Sequence, residues 1–347
     1  MPSTNVVLER SASETHRFDF KLPRELEAAT PPEVRGTGRD DVRLLVTTPH
    51  GLTHSHFRRL REFLNPGDLI VLNRSATVPA ALEAHRDDHT PVRLHISTRL
   101  PADLCIVEAY QTRVNQFERL RLPGGGLAEL LTPYRDSRRL WVARLYLPCG
   151  MIAYLGRYGA PIRYRHTSGE WGLQTYQNVF AETPGSAEMP SAGRPFTHEG
   201  LALLRERGID TGFVTLHAGV SSPERDEPPY EERYEVPAET ALAVTRARRN
   251  GGRVIAVGTT VVRALESSLD ARDRVVASQG WTDLVVTPER GVCTVDALLT
   301  GFHEPRSSHI AMLEAIAGTE RIQTAYEAAL DNAYLWHEFG DSHLILP

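Results

Sequence analysis

Lysine is almost missing from this chain. Lys21 is the only one in 347 residues, so nearly all of the positive charge is arginine. Schiff-base chemistry needs a lysine, usually in an apolar pocket, and Lys21 sits in a polar stretch that offers none. Cysteine is also scarce. Cys105, Cys149 and Cys293 lie far apart and form no CxxC pair, which argues against a disulfide framework or a cysteine-rich zinc site. No apolar run is long enough to span a bilayer, and Met1–Arg10 has no signal-peptide core. The expectation is a cytoplasmic protein without membrane attachment. GxSxG and HExxH do not occur, and the Gly-x-Gly at 36–38 lacks both a third glycine and a preceding strand. The formal net charge is −5, so the total gives no general pull toward nucleic acid.

What is present suffices for a large core. Hydrophobic residues make up 41% of the chain, and its length suits two domains or one large domain with an insertion. Arg43–Thr48 and Leu69–Asn73 read as strands, with a short helix near Phe57–Leu64 between them. From about Val78 to Tyr164, short alternating runs are separated by turn residues, with no convincing long helical period. This reads as an all-β insertion over 78–164. It divides a main domain of residues 1–77 and 165–347. After Thr175 the pattern is α/β. Thr197 caps a helix closed by Gly208, Pro237 opens another running to about Asn250, and two amphipathic helices precede a final strand at "SHLIL".

Several stretches have the residue types for chemistry. In "RVIAVGTTVVRALESSL", Arg253–Leu269, a strand ends at Gly258 and a helix begins with Thr259 and Thr260. Free N–H groups and hydroxyls at such a terminus suit anions. Arg263 and Glu266 follow at three-residue intervals on the same face. From the residues alone, a capped strand–helix unit and the floor of a site are both open. Tyr176–Thr197 is a long stretch with little regular pattern, a feature common to functional loops and surface excursions. His217 ends an apolar strand, where ligands gather in α/β sheets. His303, Arg306, Ser307 and Ser308 stand just before a helix, and either serine can cap it. His54 and His56 share one face of a strand without a nearby carboxylate or cysteine partner, so no metal site is assigned to them.

Taken in order, "FDFKLP", "LNPGDLIVLN", "YQNVFA", "PSAGRPFT", "FVTLHAG", "GGRVIAVGTTVVRALES", "GWTDL", "VDALLTGFHEPRSS" and "AYEAAL…FGDSHLI" resemble the S-adenosylmethionine:tRNA ribosyltransferase-isomerases of queuosine biosynthesis. The resemblance runs from about Phe18 to the C-terminus. It implies a fold of the α/β (α+β) class: a large, barrel-like mixed-sheet domain interrupted by a small β-barrel. It implies transfer and isomerisation of the ribosyl moiety of S-adenosylmethionine onto the aminomethyl-deazaguanine at the tRNA wobble position, in the anticodon region. The product would be epoxyqueuosine, with adenine and methionine released. S-adenosylmethionine is the implied co-substrate, no metal is implied, and a monomer is expected. On matching positions, the resemblance implies His217, Arg263, Glu266 and His303 as catalytic residues, and Gly258, Thr259, Thr260 and Phe302 as contacts to the adenosyl ligand. Some motifs depart from the pattern. Arg194-Pro195 replace the family's Leu-His, "LNDTRV" becomes "LNRSATV" from Leu72, and the 221–232 segment is shortened. These departures support a second reading, a diverged paralogue with another acceptor, such as a small deazapurine.

Overall fold

The computed structural model describes residues 18–135, 137–220 and 229–347. Helices and a mixed sheet build its larger part. The chain begins with a short helix, α1 (Pro32–Arg35), then β1 (Arg43–Thr48) and β2 (Gly51–His56), a 3-10 segment over Phe57–Phe63, β3 (Leu69–Asn73) and β4 (Ser75–Thr77). Six strands follow: β5 (Ala81–His85), β6 (Pro91–Arg99), β7 (Leu104–Ala109), β8 (Arg119–Arg121), β9 (Leu127–Pro133) and β10 (Leu140–Tyr146). Helix α2 (Met151–Tyr158) and β11 (Thr183–Ser186) lead back to α3 (His198–Glu206), β12 (Asp210–Leu216) and β13 (Glu232–Val236). The remainder is α4 (Ala238–Arg249), β14 (Val254–Val257), α5 (Thr259–Glu266), β15 (Ser278–Thr282), β16 (Ala297–Gly301), α6 (Ser308–Ala317), α7 (Thr319–Asp331) and β17 (Ser342–Ile345).

Nine strands form one sheet in the order β15-β13-β12-β3-β14-β16-β17-β1-β2, and β5 to β10 close a separate six-stranded barrel. The sheet is mixed. β12, β3, β14 and β16 run parallel, so their C-terminal ends share one edge, and β17 joins β16 antiparallel. β3 and β14 are buried at every position because helices or loops cover both faces. Their alternating side chains therefore feed two cores. Leu69, Val71, Val254 and Ala256 pack with residues of α4 to α7; Ile70, Leu72, Ile255 and Val257 pack with Phe57, Leu60, Phe196 and Leu204. A third core fills the barrel around Leu82, Leu94, Val107, Leu120 and Ala143.

The chain leaves the sheet for the barrel through β4 and returns through β11. These two strands pair in parallel as a neck, with a register shift between Pro184 and Ser186. The sequence did not reveal α2. This helix lies in the stretch read as all-β and seals the barrel core with Tyr154 and Leu155. The "GWTDL" stretch lies at the end of β15, which stops at Thr282.

Candidate active site

The C-terminal ends of β3, β12 and β14 converge on the N-terminus of α5. Asn73, the last residue of β3, joins them. Its side-chain carbonyl accepts from the Leu216 and Ser75 N–H groups at 3.0 and 3.1 Å. Its amide donates to the Leu216 carbonyl at 2.8 Å and to Thr260 Oγ1 at 3.2 Å. One amide side chain thus satisfies groups on two strands and one helix, which fixes the edge where ligands gather in α/β sheets.

His217 stands on this edge, one residue past β12. Its Nδ1 lies 2.7 Å from Ser75 Oγ, which lies 2.6 Å from Ser186 Oγ. Ser186 Oγ also accepts from the Ala218 N–H at 3.0 Å. The two serines come from the two strands of the neck, so the crossing to the barrel also holds this imidazole. The neck carries its register shift at Gly185, and a Cβ there would lie 2.5 Å from His217 Nδ1. Such irregularities re-aim side chains locally, and here the missing Cβ makes room for the ring. Burial, then the Arg233 charge, pushes the His217 pKa down to about 4, so the ring is neutral at pH 7.

Gly258 turns β14 into α5 at φ 89°, which favours glycine, and its N–H donates to the Leu299 carbonyl at 2.8 Å. A Cβ on Gly258 would meet Ala192 Cβ at 3.2 Å, so the turn also lets the 191–193 segment close over the helix start. Thr259 is buried there, whereas Thr260 is partly open and holds Asn73.

The other expected residues have different surroundings. Arg263 is buried. It pairs with Glu232 and donates to the Leu284 and Thr282 carbonyls at 3.1 and 2.9 Å. Glu232 in turn accepts from the Gly219 N–H at 2.8 Å. Next to it, the Val220 N–H donates to Ser97 Oγ at 2.9 Å, where β6 shifts register. Arg263 therefore braces the place where the sheet meets the barrel. Glu266 is also committed. One carboxylate oxygen accepts from the Cys293 N–H, the Thr294 N–H and Thr294 Oγ1 at 2.7, 2.8 and 2.9 Å, and the other pairs with Arg290 at 2.7 Å. These contacts lie two turns along α5 from Thr259.

His303 Nε2 lies 2.8 Å from Thr300 Oγ1, and its ring is 4.5 Å from that of His309. Enclosure, followed by the neighbouring imidazoles, pushes its pKa well below the usual histidine value. Phe302 is a core residue rather than a site wall. It is 1% exposed, and its ring packs on Trp336, Tyr326 and Tyr334 at 4.8, 5.5 and 5.5 Å and stacks on His343. Backbone alternation past β16 sends neighbours 302 and 303 to different surroundings. His54 and His56 lie on β2 beside a cavity of about 200 Å³ shared with Arg43 and Tyr334, and His54 Nδ1 is 2.9 Å from Tyr334 Oη.

The motif departures have physical roles. Arg194 is 1% exposed. Its Nη2 donates to both Glu33 carboxylate oxygens, at 2.8 and 3.0 Å, its Nε donates to the Thr175 carbonyl, and the guanidinium lies 4.9 Å over the Phe339 ring. It pins the 176–197 loop to α1. Ser75, in the altered "LNRSATV" stretch, is the hydroxyl on His217. Most of the shortened segment, residues 221–228, lies outside the described residues. Sequence reasoning missed the roles of Asn73, Ser75, Ser186 and Glu232, because each acts through a partner distant in sequence.

A family model described as "Queuosine biosynthesis protein" matches residues 15–345. The chain is similar to the S-adenosylmethionine:tRNA ribosyltransferase-isomerase of Thermus thermophilus, 36% identical over 95% of this chain and 98% of that protein. It is similar to the one of Caldanaerobacter subterraneus subsp. tengcongensis, 34% identical with the same coverage of both. Among solved structures, it is similar to the S-adenosylmethionine tRNA ribosyltransferase from Thermotoga maritima, with a TM-score of 0.55 and 29% identity over 95% of this chain and 99% of that one. With nearly the whole chain matched by the family model and by relatives above 30% identity, this protein belongs to the queuosine biosynthesis protein family.

Proposed function

We propose that this protein is an S-adenosylmethionine:tRNA ribosyltransferase-isomerase. It moves the ribosyl moiety of S-adenosylmethionine to the aminomethyl-deazaguanine of tRNA, and adenine and methionine leave. The observation that carries this reading is the end-to-end similarity, 34–36% over 95% of the chain, to enzymes bearing that name. The strand edge supports it. Asn73, Thr260 and Gly258 hold an ordered helix start suited to a polar ligand. The neutral His217 ring has Nδ1 committed to Ser75, which leaves Nε2 for a substrate proton. The sulfonium acidifies the adjacent C5′ protons, and a neutral imidazole removes one of them. In this reading Arg263 and Glu266 are positioning residues, and His303 lines the site from the end of β16. Residues 78–164 form an inserted domain, joined to the main domain by the neck of β4 and β11. The tRNA enters by its anticodon region, and the enzyme works as a monomer in the cytoplasm. Among the described residues, no helix is long and apolar enough to cross a membrane.

The paralogue reading is disfavoured by the same end-to-end similarity to enzymes of that name. The decisive experiment offers S-adenosylmethionine with either tRNA carrying the aminomethyl-deazaguanine or the free base, and measures adenine. Release that depends on the tRNA is expected. Release with the free base alone, or none with S-adenosylmethionine bound, would overturn the proposal.

A further inference from the structure

Beyond the strand edge, a second cluster of chemistry-bearing groups joins three distant segments. Glu27 follows the first 3-10 turn and pairs as a bridge with Trp336. Glu304 follows His303 after β16. His337 precedes β17. One ligand atom from each of these three residues lies within 4.8 Å of the others. His337 Nε2 is 3.6 Å from the Glu27 carboxylate and 3.7 Å from that of Glu304. The His337 side chain is 10% exposed, and its Nε2 is buried without a hydrogen-bond partner. A buried polar nitrogen of this kind needs a partner, and two carboxylate oxygens lie just beyond its hydrogen-bond reach.

The surroundings hold the ring in place. His166 stacks on His337 at 4.2 Å, and its own Nε2 lies 3.0 Å from the Glu338 carboxylate. His337 also has φ 73°, a left-handed backbone that non-glycine residues rarely adopt and that persists where surroundings over-determine it. Glu304 is 60% exposed at its side chain, so the cluster is open to solvent on one side and has an entry path.

We propose that Glu27, Glu304 and His337 bind a divalent cation of the zinc type, with water completing the shell. Imidazole with two carboxylates is a donor set that zinc takes. Bonds of about 2.1 Å in a tetrahedral shell place ligand atoms about 3.4 Å apart, so the 3.6 and 3.7 Å separations close with a small side-chain movement. The ion would cross-link the N-terminal arm, the loop after β16 and the approach to β17. It would also stiffen the loop bearing His303, because the Trp336 indole, one residue before His337, donates to the His303 carbonyl at 3.2 Å. The site is separate from the His54–His56 pair, and the inference does not depend on the proposed reaction.

The test uses full-length protein stripped with a chelator and titrated with Zn²⁺ by calorimetry and with Co²⁺ by visible absorption. One equivalent is expected to bind, with a d–d band showing low coordination number. Glu304→Gln, at an exposed position that leaves folding intact, should weaken binding by at least about 10-fold. His337→Gln should abolish it, and His54→Ala should leave it unchanged. Absence of Zn²⁺ and Co²⁺ binding in the wild type would overturn the proposal. So would unchanged affinity in Glu304→Gln and His337→Gln, or loss of binding in His54→Ala.

Discussion

An imidazole at a strand end gains its chemistry from what touches its two nitrogens. His217 has one nitrogen on a serine pair drawn from both strands of the neck, and burial lowers its pKa to about 4. A neutral base at physiological pH follows from that geometry. Replacing Ser75 by alanine removes the hydroxyl that fixes the ring. Adenine release should fall by about 10- to 100-fold with S-adenosylmethionine affinity nearly unchanged, because positioned proton transfer typically contributes about 10²–10⁴-fold. In the wild type, kcat/KM should fall as pH drops through the His217 titration and stay level above it. His217→Gln should remove that limb, which a purely structural residue would not do. Gly185→Ala tests the same ring by crowding it. The added Cβ would sit 2.5 Å from Nδ1, so turnover should drop as in Ser75→Ala while far-UV circular dichroism is retained. Wild-type rates in both variants would remove His217 from the reaction.

At the scale of elements, α5 links the two parts of the protein. Its Arg263 is held by Glu232 and two carbonyls, and removing one partner of a buried pair leaves the other charge uncompensated. Arg263→Ala is expected to lower unfolding stability by about 3 kcal/mol, within the range for breaking such pairs. Adding Glu232→Gln to it should recover part of that loss, as read by urea unfolding; additive losses would show that the pair is not coupled. The β14–α5 unit was legible in the sequence because a four-residue apolar strand, a glycine and an amphipathic helix are local signals. The strands buried on both faces, the helices α3, α4, α6 and α7, and the alternating barrel strands were legible for the same reason. The sequence hid the pairings. Glu232 lies 31 residues before Arg263, and Ser75 and Ser186 are 111 apart. No periodicity reports such contacts, which arise only when the barrel folds out of the sheet and the neck closes. The packing of Phe302 was hidden for a related reason. The motif that carries it is continuous, but alternation past β16 sends its ring into the aromatic core.

Across the whole molecule, enclosed neutral histidines tie stability to pH. His343 is fully buried between Thr47, at 2.7 Å from Nε2, and the stacked Phe302 ring, and burial pushes its pKa down to about 3. His217 is lowered to about 4. Both rings are neutral in the folded protein and titrate near 6.5 once the chain unfolds. Lowered histidine pKa values give stability that is fully present above pH 6.5. That stability is lost as pH falls, because the unfolded chain then binds protons the folded one refuses. Each such histidine contributes a slope of up to about 1.4 kcal/mol per pH unit, down to its folded pKa. Carboxylates held down by partners, such as Asp270 with its Arg274 hydrogen bonds at about 2, begin to lose their contribution only near pH 5, as the unfolded carboxylates take up protons. The window from pH 6.5 to about 5 therefore isolates the imidazoles. Unfolding free energy should be level from pH 7.5 to 7 and then fall steadily to about pH 5. In His343→Gln, which keeps a polar partner for Thr47 but does not titrate, the fall should be shallower. Equal slopes in the two proteins, measured by urea unfolding at each pH, would show that His343 is charged when folded and would refute this account of the core.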